Sequence, residues 1–85
     1  MQITAKGVVF HVKSQGFGPN DESAAAVVRR LAIALSDFEP QQLTNPSLLE
    51  DLAQQAVQHE TATWRCWRPG YRGELPRVIL ERVVA

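Results

Sequence analysis

The sequence predicts a small α+β domain, an antiparallel sheet of three or four strands with two consecutive helices packed on one face. Three observations predict it. β-Branched residues alternate with period two near the start; two capped apolar stripes of helical period fill the middle; a second β-rich stretch, broken by proline and glycine, follows. Each pattern has one apolar side to bury, and a two-layer stack buries them together. Residues 1–85 read as a single domain, because a chain of this length supports one small core.

The first strand region spans 2–13, where Val8, Phe10 and Val12 alternate with Val9, His11 and Lys13. Gly7 marks either a tight hairpin turn or a bulge in one longer strand, and the sequence leaves both open. Residues 14–20 form a loop by their glycine, proline and asparagine content. Asn20 can cap a helix whose first turn carries Asp21 and Glu22, where the helix dipole favours acids. Val27, Val28, Leu31, Leu35 and Phe38 then mark its apolar stripe, and Pro40 stops it, giving a helix over 21–38.

Asn45 caps the second helix, with Pro46 at its first position. Leu48, Leu49, Leu52, Ala53, Ala56 and Val57 form its stripe, with Glu50, Asp51, Gln54, Gln55 and Gln58 opposite, over 46–59. In the strand at 61–68, Ala62, Trp64 and Cys66 share one face while Thr63, Arg65 and Trp67 share the other. Pro69-Gly70 fits a type II turn, which Gly73 and Pro76 prolong into a loop. The final strand, 77–84, carries apolar residues on both faces and is expected at the sheet centre. A helical period also fits there, but the density of valine and isoleucine favours the strand. The predicted core is Val28, Leu31, Leu35, Leu49, Leu52 and Val57.

Chemistry-bearing motifs are weak. Gly16-Phe17-Gly18 sits where phosphate loops sit, between strand and helix, but the third glycine of a dinucleotide fingerprint is replaced by Asp21. His11, His59 and Cys66 lack any short zinc-type spacing, so no metal or cofactor is expected. Cys66 shares a face with Trp64 and reads as a buried small hydrophobe, an unreactive thiol. No serine, histidine and acid arrangement matches a nucleophile signature, and the expectation is that the chain is not an enzyme. One cysteine excludes an intramolecular disulfide, no apolar run approaches the roughly twenty residues that span a bilayer, and no export signal is visible. A cytoplasmic setting without membrane contact is expected.

Nine basic and nine acidic residues cancel, yet the charges are segregated. Residues 21–60 carry a balance of −5, and residues 61–85 a balance of +3, with five arginines. Those arginines interleave with Trp64, Trp67 and Tyr71, the composition of protein-interface hot spots and of single-stranded nucleic-acid platforms alike. The expected function is a non-enzymatic protein-binding domain, a regulator or inhibitor of a larger assembly that handles nucleic acid in one version of this reading. The alternative is single-stranded nucleic-acid binding through the same hairpin, against which neutral overall charge counts. The expected binding residues are Arg65, Trp67, Arg68, Tyr71 and Arg72, for a protein partner of unknown identity. Self-association through the outer sheet face or an edge is a related expectation. Trp64 is expected in the core, Arg65 can pair across the sheet with Glu81, and Trp67 is exposed unless something covers the outer face.

Overall fold

A computed structural model of the chain describes residues 1–14, 22–70 and 75–83. Its elements are β1 (Gln2–Ala5), β2 (Val8–Lys13), α1 (Glu22–Ser36), a 3-10 turn (Gln42–Thr44), α2 (Pro46–Val57), β3 (Trp64–Trp67) and β4 (Arg77–Arg82). The α+β class, the four strands and the two consecutive helices agree with the sequence reading. The Asn20 cap, the Gly16-Phe17-Gly18 loop, Tyr71, Arg72 and Gly73 lie outside the described residues.

Gly7 belongs to a hairpin. Lys6 and Gly7 both take positive φ, 51° and 81°, as in the type I′ turn whose twist matches that of paired strands. Ala5 therefore faces Val8 and Ile3 faces Phe10. Neither helix carries a basic residue in its own last turn. Each borrows one. Lys6 Nζ donates to the carbonyl of Leu35 in the last turn of α1 and to that of Phe38 just past it, at 2.7 and 2.6 Å. Arg30 donates from one guanidinium nitrogen to the Ala56 carbonyl and to Glu60 Oε2, both at 2.9 Å, at the end of α2. These cations meet the partial negative charge of unsatisfied helix carbonyls. At the start of α2 the Asn45 side chain accepts from the Ser47 amide at 3.0 Å, with Pro46 next in the chain, as its sequence signature implies.

The strand order is β1-β2-β4-β3, with β1 and β3 at the edges. The outer pairs are antiparallel, but β2 and β4 run parallel, so the sheet is mixed where an antiparallel one was expected. The reason is the connection. The two helices return the chain to the far edge as β3, and β4 then turns back into the centre beside β2. That central place is the one the two-sided apolar pattern of the last strand requires.

Ile3, Ala5, Val8, Phe10, Val12, Val78, Leu80, Trp64 and Cys66 form the sheet's contribution to a common core with both helices. Leu31, Leu35, Leu49, Leu52 and Val57 are buried in it as expected, whereas Val27 takes the central place and Val28 is half-buried. Leu43 is also fully buried, although a lone leucine between polar neighbours gives no periodic signal. The Pro69-Gly70 segment departs from expectation, since Gly70 lacks the positive φ of a type II turn. Residues 68–76 join β3 to β4, and a connection that long needs no tight reversal at one dipeptide.

Candidate functional site

Strand alternation puts a second set of side chains on the sheet face away from the helices. The register builds this face in rows. Gln2, His11, Ile79 and Trp67 form one row across all four strands; Thr4, Val9 and Arg77 form the next; Lys13, Glu81 and Arg65 form the third. Val9 and Ile79 are 4% and 8% exposed yet stand outside the helix-facing core, so this face has an apolar floor of its own.

Glu81 organises one side of the face. Its Oε1 accepts the Trp67 indole N–H at 3.0 Å and lies 3.8 Å from an Arg65 guanidinium nitrogen. The Arg65 guanidinium stands 5.6 Å from the centre of the Trp67 ring, in the range of a cation–π contact. Trp67 is consequently half-buried and fixed in orientation, while the Arg65 side chain remains 67% exposed. The expected cross-strand pairing of Arg65 with Glu81 is present, and it recruits Trp67 as well.

Arg68 does not join them. Its Nε donates to Glu50 Oε1 of α2 at 2.8 Å, on the helix side of the sheet. There it lines a concavity of about 200 Å³ with Thr44, Pro46, Leu49 and Leu75. Of the five expected binding residues, the structure thus brings Arg65 and Trp67 together and sets Arg68 apart. Tyr71 and Arg72 fall outside the described residues.

Three residues that sequence reasoning did not group also share this face of the sheet. His11 Nε2 lies 3.3 Å from an Arg77 guanidinium nitrogen. With Lys13, Pro69 and Ile79 they line a shallow basin of about 130 Å³. Burial, then the positive charges of Arg77, Lys13 and the chain's amino terminus, hold the His11 pKa below its ordinary value. The signal that would have found this group is the parallel β2–β4 register, which brings together residues far apart in sequence.

On the helix side, Trp64 packs against the core, and its buried indole N–H has no acceptor among the described residues. Cys66 is half-buried there, and burial pushes its thiol pKa up, the direction that suppresses thiolate chemistry. Among the described residues, no three His, Cys, Asp or Glu side chains converge as metal ligands, and no helix is long and apolar enough to cross a membrane. No family model, curated protein or solved structure matches the chain.

Proposed function

We propose that the chain is a non-enzymatic protein-binding domain whose docking face is the side of the sheet away from the helices, centred on Trp67 and Arg65. The observation that carries this reading is the Trp67–Glu81–Arg65 cluster. It is a large aromatic ring, held on a strand by a hydrogen bond, with a mostly exposed guanidinium beside it. Aromatic and arginine anchors whose positions are fixed before association lose little entropy on binding, and they dominate interface energetics. A domain this small suits a regulator or inhibitor that occupies a surface of a larger assembly. A cytoplasmic setting is consistent with the free Cys66.

A photo-cross-linking residue in place of Arg65 tests this, with the same residue in place of the exposed Ile33 on α1 as control. The expected result is one protein species cross-linked from position 65, absent from position 33, and displaced by unlabelled parent but not by a Trp67→Ala competitor. Equal labelling from both positions contradicts the docking face.

Single-stranded nucleic-acid binding is the second reading, favoured by Lys13, Arg65 and Arg77 on the same face as Trp67. Titration of labelled single-stranded RNA at low and moderate salt separates the two. Salt-sensitive binding lost in an Arg65/Arg77 double glutamine variant supports nucleic acid, and its absence supports a protein partner.

A further inference from the structure

We propose that β1 pairs with β1 of a second copy of the chain, joining two sheets into one continuous sheet. This goes beyond the docking face, since β1 and the strand that carries Arg65 and Trp67 lie at opposite edges. The backbone register fixes which groups β1 offers. Met1 and Val12 exchange both of their backbone hydrogen bonds, each 2.8 Å. In an antiparallel pair bonded and non-bonded positions alternate, so Ile3–Phe10 and Ala5–Val8 are the next bonded pairs. Gln2 and Thr4 fall between them, and their N–H and C=O groups point away from β2. Both residues are exposed, and no described residue supplies those groups with a partner.

An open edge is a template for another strand, and proteins guard it with charge, proline or a bulge. β1 reads Gln-Ile-Thr-Ala and has no charge or proline. Symmetry selects the occupant. Two copies paired antiparallel about Ile3 set Gln2 of each opposite Thr4 of the other, which satisfies all the outward groups of these residues. On the outer face Gln2 Nε2 already donates to Thr4 Oγ1 at 3.1 Å within the strand. The same amide–hydroxyl pair recurs across the two-fold axis, and the half-buried Ile3 side chains meet on the helix side. The other edge does not suit a second copy. There the Val83 amide bonds the Thr63 carbonyl, so Trp64 and Cys66 carry the outward groups. A two-fold between them sets Arg65 directly against Arg65 of the other copy, and like charges so placed repel.

The helices permit the approach. α1 packs on β1 and β2, and α2 on β3 and β4. Arg30 and Ala34 mark the flank of α1 turned to α2, where they meet Ala56. The opposite flank, above the open edge of β1, carries Ala25, Val28 and Ala32. Strands pair about 4.8 Å apart, so the two α1 axes stand roughly two spacings, about 10 Å, from each other. That is the distance at which helices pack, and small side chains let them reach it.

Sedimentation equilibrium of the chain over about 5–500 µM tests this, and the mean mass should rise towards twice that of one chain. Thr4→Pro removes an N–H that β2 does not use, so the variant should keep its melting temperature but stay monomeric. Ala32→Arg, at an exposed position, should raise the dissociation constant at least about tenfold by wedging the α1 flanks apart. It decides the matter should Thr4→Pro fail to fold, and an unchanged constant then overturns the pairing. In a Cys66→Ala background, Ile3→Cys should form a disulfide-linked dimer on mild oxidation, since the paired Cα atoms lie about 4.5 Å apart. Thr4→Cys should not, because its symmetry mate stands beyond about 7 Å. A parent that is monomeric at every concentration overturns the proposal, as does a folded Thr4→Pro variant that dimerises. Disulfide capture from Arg65→Cys in place of Ile3→Cys moves the contact to the other edge and overturns it too. A monomer leaves the docking face standing, and a missing partner at position 65 leaves the β1 dimer standing.

Discussion

Lys6 holds a left-handed backbone, φ 51°, which costs an L-residue roughly 1–2 kcal/mol. Its ammonium offsets that cost by bonding two carbonyls at the end of α1. Lys6→Met keeps the backbone demand and removes the cap, so it should lower stability by about 1 kcal/mol in denaturant titration. Lys6→Gly should lose less, because it relieves the backbone. A methionine variant as stable as the parent would show that water serves those carbonyls equally well. At His11 the folded-state pKa is lowered, so the imidazole stabilises the fold above the unfolded value near 6.5, and this contribution is lost as pH falls through the folded pKa. The melting temperature should therefore drop between pH 7.5 and 5.5, and drop less in His11→Gln. Identical pH profiles would remove His11 from the balance. Cys66, half-buried with a raised pKa, should react with a thiol reagent at least about tenfold more slowly than the unfolded chain. Labelling at the unfolded rate would contradict its packing. The sequence alternation correctly separates Trp64 from Trp67. It is silent on the two long-range pairings that decide side-chain direction here, Arg68 with Glu50 and Trp67 with Glu81.

At the scale of elements, periodicity and capping made both helices legible to within two residues. α2 starts at Pro46 as its Asn45 signal requires, and α1 ends at Ser36 rather than 38. The ends were less legible because both C-terminal caps come from other elements, the β1–β2 turn and α1 itself. Such caps are tertiary contacts, which local sequence does not encode. The 3-10 turn was missed for a related reason, since Leu43 is buried by its neighbours and not by any period. Leu52 is 3% exposed at the centre of the α2 stripe, and Leu52→Ala should cost about 2–4 kcal/mol, enough to threaten so small a domain. A denaturant midpoint near that of the parent would show that the helix does not depend on this contact.

For the molecule as a whole, the sequence conveyed class and layering but not the parallel β2–β4 pair. Strand patterns report which residues alternate, whereas pairing between residues 68 apart, such as Val9 and Arg77, depends on the path the helices impose. The site inherits that limit. Arg65 and Trp67 were legible because they lie two apart on one strand; His11, Lys13 and Arg77 were not, because only the sheet assembles them. The central claim is that Trp67 belongs to a docking face and not to the fold's own core. Trp67→Ala measures this most directly when denaturant stability and partner binding are read on the same protein. The account predicts a stability loss below about 1.5 kcal/mol, from one half-exposed hydrogen bond and partial packing, together with binding weakened by at least about 2 kcal/mol. Cooperative unfolding of the variant, or full binding by a folded one, would contradict it.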